Sequence, residues 1–224
     1  MVKSISLMPV LRRVRLPAAA ALLAALLVGL ALAGAKPLSA ESGDSMKLLA
    51  VPYIDQGQTR WCFQTALSMV LQYNGIDVTP GDIARANDQS VNQATSIIDV
   101  FFGWVGGYLQ QWPDLSLHRS LSDWSFEQFR SVLSNGRGEP IIVSTFGIPG
   151  HTVVVVGYST ENGKDYIYLH DPSGYLTEYR WNTGARTYAK VDWDTFNRYY
   201  WTKVFVTMPQ AGAPFTIQLP TPTR

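Results

Sequence analysis

The sequence predicts an α+β domain, and three features of it support that class. Apolar residues with helical i, i+3, i+4 spacing follow Cys62, which indicates helices in the first half of the chain. Beyond Glu139 the pattern changes to β-branched runs and to alternation with a period of two, which indicates strands. Helices that come before a block of strands, instead of alternating with them, are typical of α+β proteins with an antiparallel sheet. A composition of 46% hydrophobic and 16% charged residues is that of a folded globular domain.

The N-terminal segment differs in kind from the rest of the chain. Basic residues precede an uncharged apolar run from Ala18 to Ala35, which ends in the small residues Ala33-Gly34-Ala35. This order is typical of an export signal, although the run is also near the minimum length of a membrane anchor. We therefore expect a secreted or extracytoplasmic protein that meets the membrane only through this segment, if it stays uncleaved. The predicted organisation is a signal peptide or anchor over residues 1–35, a polar linker over 36–46, one domain over 47–208 and a Pro/Thr-rich tail over 209–224.

Local signals place the helices. The helix that begins at Cys62 should end at Asn74-Gly75, because glycine is preferred just after a helix C-terminus. Thr79-Pro-Gly-Asp82 and Ser125-Phe-Glu-Gln128 both have the form of a capping box, in which two side chains satisfy free backbone N–H groups at a helix start. The predicted helices begin at Cys62, Thr79 and Ser125, with a weaker one over Ile97–Phe102 and a short one over 193–201.

Strands dominate the second half of the sequence. Segments rich in Val, Ile, Tyr and Thr are separated by turn sequences such as Asp171-Pro-Ser-Gly174. Before Cys62, Pro52 disfavours a helix, so residues 48–54 should be extended. The predicted strands are 140–146, 151–159, 165–171, 175–181 and 203–208.

Cys62 is the only cysteine in the sequence, so it cannot form a disulfide within the chain. It is an intermolecular bridge, an inert buried thiol or a reactive one. The residue lies where an extended segment becomes a helix, and the N–H groups and dipole at a helix N-terminus favour an anion. A thiol there can have a pKa well below its usual value, so we interpret Cys62 as a candidate nucleophile.

A cysteine nucleophile needs a base, and the base needs an orienting group. His151 begins the most hydrophobic predicted strand, which would hold its ring in place; a satisfied edge histidine is the alternative. Asp171 ends the next strand, and a hairpin of that length would bring it beside His151. An aspartate before Pro172 also begins many β-turns, and both interpretations can hold together. His118, in a predicted polar loop, and His170, late in a strand, are weaker candidates.

Acyl transfer also needs hydrogen-bond donors for the oxyanion. Gln56 and Gln58 are candidates for a side-chain amide beside the N–H of Cys62, and spacing alone does not choose between them. No metal site or other cofactor is expected, because the three histidines are spread out and one cysteine cannot form a paired-cysteine zinc motif. Calcium binding stays open. Nucleic acid is not expected as a partner, because the net charge is +1 and no basic stripe is present.

Three segments together resemble the papain-like cysteine peptidases, in particular the bacteriocin-processing (double-glycine, family 39) peptidases and their stand-alone relatives. These segments are VPYIDQGQTRWCFQTALSMVLQYNG (51–75), EPIIVSTFGIPGHTVVVVGYS (139–159) and YLHDPSG (168–174). The resemblance implies a papain-like fold, in which the nucleophile helix packs on a C-terminal antiparallel sheet.

The same resemblance implies a role for each candidate site residue. Cys62 would be the nucleophile, His151 the general base and acid, and Asp171 the orienting residue. Gln56, and not Gln58, matches the oxyanion glutamine. Family members often have Gly and Pro directly after the cysteine, where this chain has Phe63 and Gln64.

Together these observations predict an exported cysteine peptidase that hydrolyses peptide or protein substrates through a thioester acyl-enzyme. One alternative is a catalytically silent module that binds peptide or cell-wall material with the aromatic segments WVGGYLQQW (104–112) and RYYW (198–201). Another is an acyltransferase or a peptidoglycan amidase that uses the same residues. The sequence does not indicate the oligomeric state.

Overall fold

The computed structural model describes residues 44–95, 116–120, 122–145 and 150–207, and of residues 116, 117, 119 and 200–207 it describes only the backbone. The predicted signal peptide, the weak helix over Ile97–Phe102, the aromatic segment 104–112 and the tail over 209–224 lie outside these ranges. Within them, no helix has both the length and the apolar character that crossing a membrane requires.

The described elements confirm the α+β class, since helices come mainly before a block of antiparallel strands. Each helix and strand is named here in chain order. They are β1 Ser45–Leu48, α1 Cys62–Tyr73, α2 Pro80–Arg85, β2 Ser116–Ser120, α3 Phe126–Ser134, β3 Ile141–Thr145, β4 Thr152–Glu161, β5 Lys164–His170, β6 Ala189–Asp192, α4 Trp193–Asn197 and β7 Tyr200–Thr207.

One antiparallel sheet organises these elements. Its strand order is β2-β7-β3-β4-β5-β6, and β1 pairs with β4 outside that path. β5 lies along one edge of β4, whereas the other edge is shared: β3 pairs with residues 152–155 and β1 with residues 157–160. The start of β4 therefore lies beside the end of β3 and near the end of β5.

Helix α1 lies in the middle of the hydrophobic core and contacts β3, β4 and α2. All of its residues from 63 to 71 are buried, including the polar side chains Gln64, Thr65 and Ser68. The Ser68 hydroxyl donates to the carbonyl of Val78 at 2.5 Å, so this polar group is satisfied inside the core. A helix packed on all sides holds its first residue, Cys62, in a fixed position.

Both predicted capping boxes are confirmed. Thr79 and Asp82 satisfy each other's backbone N–H groups at the start of α2, and Ser125 and Gln128 do so at the start of α3. The predicted end of α1 is also confirmed, because the helix stops at Tyr73 and Asn74 is its C-cap.

Three local predictions are wrong. Residues 175–181 form consecutive turns and not a strand. The short strands β1, β2 and β6 were not predicted; β1 begins at Ser45, within residues 36–46, and β2 places His118 in the sheet instead of in a loop. The helix predicted over 193–201 stops at Asn197, because the last strand already begins at Tyr200.

Candidate active site

Cys62 is the first residue of α1 and is half-buried. The N-cap residue, Trp61, provides no side-chain hydrogen bond to the helix. The first N–H groups of an α-helix have no acceptor within the helix, so they point outward beside the thiol. Phe63 and Gln64, where related proteins often have Gly and Pro, both face the core, with 2% and 0% of their surface exposed. Because both side chains pack in the core, they fix the position of the helix N-terminus.

Backbone contacts hold the segment that precedes Cys62. The Gln56 N–H donates to the carbonyl of Pro172 at 3.0 Å, next to Asp171. The Arg60 N–H donates to the carbonyl of Val91 at 2.8 Å. These contacts join the approach to the nucleophile both to the loop after β5 and to the segment after α2.

Two hairpins bring His151 and Asp171 together. The Thr145 N–H donates to the His151 carbonyl at 2.8 Å, and the His151 N–H donates to Thr145 Oγ1 at 3.0 Å, which fixes His151 beside the end of β3. On the other edge, Val154 pairs with His170, so Asp171 follows directly opposite the start of β4. His151 Nε2 lies 2.6 Å from Asp171 Oδ1, and both side chains are buried.

The Asp171 carboxylate is enclosed by donors from the residues that follow it. Oδ1 accepts hydrogen bonds from His151 and from two backbone N–H groups, and Oδ2 accepts from two further N–H groups and a hydroxyl. Besides His151 Nε2, the donors are the N–H groups of Ser173 (3.1 Å), Gly174 (3.0 Å), Leu176 (3.0 Å) and Thr177 (3.1 Å) and the hydroxyl of Thr177 (3.2 Å). This enclosure helps to explain why the segment turns instead of forming a strand: the N–H groups of Leu176 and Thr177 point to a buried charge, and the next two N–H groups donate back to the Gly174 carbonyl.

The surroundings of Asp171 also set its charge. Burial raises the pKa of this carboxyl, but the hydrogen bond and charge of His151 and the N–H groups of Thr177 and Ser173 outweigh burial and lower the pKa to about 2. The residue is therefore ionised across the physiological pH range.

Cys62 and His151 shift each other's pKa, down for the thiol and up for the imidazole. Because His151 Nε2 is engaged by Asp171, Nδ1 is the ring nitrogen left for the thiol. Burial of the Cys62 thiol raises its pKa, but His151 and, to a smaller extent, Thr152 outweigh burial, so the pKa is lowered overall. Burial lowers the pKa of His151, whereas Asp171 and Cys62 raise it, to about 9. Both shifts favour transfer of the thiol proton to the imidazole.

Three residues at the site were missed by the sequence analysis. Ser173 Oγ lies 3.3 Å from His151 Nε2, and the Tyr175 ring packs edge-on against the imidazole with 5.6 Å between centroids. Thr152 lowers the pKa of the Cys62 thiol. Nothing in the local sequence distinguishes Ser173 or Tyr175. Thr152, a hydroxyl residue directly after His151 and before four valines, could have been recognised from the sequence.

The structure separates the two candidate glutamines. Gln58 is exposed in a turn, whereas Gln56 is half-buried. Gln56 Nε2 donates to the carbonyl of Thr59 at 2.8 Å, and its Oε1 is buried without a hydrogen-bond partner within the described residues. An amide nitrogen carries two N–H donors, so the bond to Thr59 leaves one for a ligand.

The other two histidines, His118 and His170, lie within strands of the sheet. His170 is fully buried, with Nε2 3.0 Å from the carbonyl of Val51 and Nδ1 accepting from the N–H of Tyr188 at 3.2 Å. Burial lowers its pKa, so the ring is neutral and ties the segment before Gln56 to β5. His118 is part-buried in β2, and burial lowers its pKa as well.

Comparison with known proteins identifies the family of this chain. No curated protein matches the chain by sequence. Solved structures that align with it include the peptidase domain of Streptococcus ComA, a bi-functional ABC transporter involved in a quorum-sensing pathway (16% identity, 70% of this chain and 98% of that one, TM-score 0.49). A double-glycine-motif protease from an AMS/PCAT transporter, solved with the leader peptide, aligns at 20% identity over 72% of this chain and 94% of that one, with a TM-score of 0.47. UfSP from C. elegans aligns at 14% identity over 79% of this chain and 35% of that one, with a TM-score of 0.43.

The sequence profile of the Peptidase_C39 like family matches residues 48–200. This span covers more than half of the chain and contains the helix that begins at Cys62, the start of β4 and the loop after β5. The family resemblance of the three sequence segments is thereby confirmed: the chain belongs to the Peptidase_C39 like family.

Proposed function

We propose that this protein is an exported cysteine peptidase that hydrolyses amide bonds of peptides or proteins with Cys62, His151 and Asp171. One observation carries the proposal: His151 Nε2 lies 2.6 Å from a buried, ionised aspartate, which leaves Nδ1 to exchange a proton with the thiol. A base that is oriented in this way can both take a proton from a nucleophile and return it to a leaving group. Membership of a peptidase family supports the same chemistry.

In the first half-reaction the Cys62 thiolate attacks the carbonyl carbon of the scissile bond. A carbon–sulfur bond forms, and the π electrons of the carbonyl move onto its oxygen. The Cys62 N–H and the free amide hydrogen of Gln56 donate to that oxyanion. The His151 imidazolium then protonates the leaving amine as the carbon–nitrogen bond breaks, which leaves a thioester on Cys62.

In the second half-reaction His151, now neutral, takes a proton from water. The hydroxide attacks the thioester, and the tetrahedral intermediate collapses to the free acid while the thiolate leaves. Asp171 stays ionised throughout, because its donors stabilise the charged form, and it stabilises each imidazolium that forms.

A peptide-cleavage assay tests this function. Full-length protein is incubated with a peptide mixture, and the products are identified by mass spectrometry. We expect Cys62→Ala and His151→Ala to abolish cleavage and Gln56→Ala to reduce kcat by about 10²–10³-fold. Gln58→Ala is the matched control, since Gln58 is exposed, and should keep full activity. Cleavage by Cys62→Ala at the wild-type rate would refute the proposal.

The same assay separates hydrolysis from its alternatives. With an added amine, an acyltransferase yields amides in place of free acids, and peptidoglycan fragments as substrate reveal an amidase. Export is supported by the basic and apolar order of residues 1–35. Its test is N-terminal sequencing of protein recovered outside the cytoplasm, where a first residue near position 36 is expected.

A further inference from the structure

Arg186 joins the two loops that carry Gln56 and Asp171. It lies just before β6, and its side chain is half-buried. Nη1 donates to Asp55 Oδ2 at 2.8 Å, and Nε and Nη2 each lie 3.0 Å from one of the two carboxylate oxygens of Glu178. Asp55 directly precedes Gln56, and Glu178 belongs to the turns that follow Asp171. One guanidinium group therefore binds both loops.

The geometry of these ion pairs makes them suited to fixing a loop. A single exposed ion pair contributes little, because water screens it and both side chains lose conformational freedom. A guanidinium that faces one carboxylate with two nitrogens and a second carboxylate with the third is different, since its planar shape fixes the directions of its donors. The main chain adds a further contact, because the Arg186 carbonyl accepts the Asp171 N–H at 2.8 Å. Arg186 is thus held beside the orienting aspartate while its side chain reaches Asp55.

Asp55 transmits this constraint to Gln56. Its Oδ2 accepts from Arg186, and its Oδ1 accepts the Gly57 N–H at 2.7 Å, so one carboxylate binds the chain on the far side of Gln56 as well. The Gln56 N–H itself donates to the Pro172 carbonyl at 3.0 Å. The backbone on either side of Gln56 is therefore tied to Arg186 and to the loop after β5.

The side chain of Gln56 is held within its own loop. Gln56 Nε2 donates to the Thr59 carbonyl at 2.8 Å, and the Thr59 hydroxyl donates to the Gln56 carbonyl at 2.7 Å. These two bonds couple the amide to the backbone of residues 56–59. The direction of the remaining amide hydrogen therefore depends on where this loop lies relative to the rest of the site, and the pair of Arg186 with Asp55 helps to set that position.

We propose that Arg186 is a positioning residue of this active site, which acts through Asp55 to hold Gln56 where its amide hydrogen meets the oxyanion. The inference rests on the proposed function, since it concerns the oxyanion donor of that reaction. A donor stabilises an oxyanion most when it is already in place as the charge develops. A displacement of about 1 Å can lower the rate by about 10²-fold. The contribution of Arg186 is one of position, because its side chain binds the carboxylates of Asp55 and Glu178.

A double-mutant cycle on peptide cleavage by the full-length protein tests the inference. Arg186→Met removes the charge and keeps most of the aliphatic stem. We expect kcat to fall by about 10–10²-fold while KM stays within about twofold of the wild type. In a Gln56→Ala background the same substitution should lower kcat no further, because no amide remains to be positioned. Lys190→Met is the matched control: it breaks another ion pair at the surface of the sheet, with Glu161, and should keep the wild-type kcat.

A second measurement separates an effect on Gln56 from an effect on the catalytic histidine. Because Cys62 is the only cysteine, its alkylation by iodoacetamide, followed by mass spectrometry as a function of pH, reports on the ionisation of this thiol alone. Arg186→Met should keep the wild-type midpoint of this profile. A shifted midpoint would show that Arg186 acts through Asp171 and His151, and would overturn the inference.

Two further outcomes would overturn it. One is a wild-type kcat in Arg186→Met, and the other is an equal loss of kcat with and without the Gln56 amide. If Arg186→Met does not fold by circular dichroism, Asp55→Asn, which keeps the size of the side chain, takes its place in both measurements with the same expected results. Failure of the proposed function gives a different pattern: wild-type protein then cleaves no peptide, which refutes both proposals, whereas failure of the inference alone leaves wild-type cleavage intact.

Discussion

At Asp171 the chain that follows the residue stabilises a buried charge. An isolated carboxylate inside a protein costs several kcal/mol unless donors replace the water that it loses. Here the donors lie within the six residues that follow Asp171. The residue that orients His151 therefore also holds the loop after β5 in its conformation. The site and the local fold therefore depend on the same oxygen atoms.

Substitution Asp171→Asn removes the charge of the side chain and keeps its shape, so it tests the contribution of the charge alone. The amide NH₂ must replace one oxygen, and in either orientation it faces backbone N–H groups: those of Ser173 and Gly174 on one side, or those of Leu176 and Thr177 on the other. We expect the free energy of unfolding to fall by about 2–4 kcal/mol, because buried donors lose their acceptor.

Urea denaturation at neutral pH measures this loss. Ser173→Ala is the control, since it removes a hydroxyl near His151 but keeps the N–H that donates to Asp171, and it should cost less than about 1 kcal/mol. An Asp171→Asn protein with the wild-type denaturation midpoint would show that the carboxylate does not hold the loop.

The turn after β5 is the element on which the site depends most. Gly174 has a φ of 71°, in the left-handed region, and a Cβ there would lie 2.7 Å from both Arg186 Nε and Glu178 Oε2. These two side chains form an ion pair at 3.0 Å, and the Arg186 carbonyl accepts the Asp171 N–H at 2.8 Å. Any side chain at position 174 would therefore collide with this ion pair.

Gly174→Ala and Gly163→Ala form a matched pair. Gly163, in the β4–β5 hairpin, has nearly the same φ, 73°, but open space around a new Cβ. Gly163→Ala should cost only the backbone strain, about 1–2 kcal/mol, and leave peptide cleavage unchanged. Gly174→Ala should cost more, because the ion pair must also move, and should lower kcat. Thermal unfolding and peptide cleavage measure both effects; equal losses in the two variants would contradict the steric argument.

Patterns that depend on nearby residues were predictable at this scale. The capping boxes at Thr79 and Ser125 and the glycine after α1 act within one helical turn, and each formed as predicted. Strands β3 and β4 contain continuous β-branched runs, which β4 shows most clearly. The approach of His151 to Asp171 followed from hairpin length alone.

What the sequence did not predict depends on distant contacts. Residues 175–181 have strand-like composition, but the N–H groups of Leu176 and Thr177 donate to a carboxylate that a propensity argument does not include. Strands β2 and β6 are short, and each is stabilised by pairing with a neighbour and not by its own pattern. The effect of Thr152 on the pKa of Cys62 links residues ninety positions apart, and no local pattern indicates it.

In the whole molecule, the buried groups of the site set a pH range of stability. The pKa of Asp171 is lowered from 3.8 to about 2, so its contribution is present above the ordinary value and is lost as pH falls through the lowered one. The pKa of His151 is raised from 6.5 to about 9, so its contribution is fully present below 6.5 and is lost as pH rises through 9. These two groups therefore stabilise the fold most in mildly acidic solution.

Glu139, which lies just before β3, also makes the stability of the fold decrease as the pH rises. Its side chain is 5% exposed, Oε2 has no hydrogen-bond partner within the described residues, and the nearest cation is the Arg137 guanidinium at 4.0 Å. Burial raises the pKa from 4.5 to about 7, against the smaller effect of Arg137. The folded state thus prefers the neutral acid, and stability is lost as pH rises from 4.5 through about 7.

Substitution Glu139→Gln removes this ionisation and keeps the size of the side chain. We expect the free energy of unfolding to equal that of the wild type near pH 4 and to exceed it by up to about 3 kcal/mol near pH 8, because the unfolded wild type gains by ionising and the variant does not. Urea denaturation across this pH range measures the difference. The control is Glu161→Gln, at an exposed carboxylate whose pKa the Lys190 hydrogen bond lowers. It should weaken the fold slightly at high pH, the opposite sign, and a Glu139→Gln curve parallel to the wild type would show that this carboxyl is not held neutral by burial.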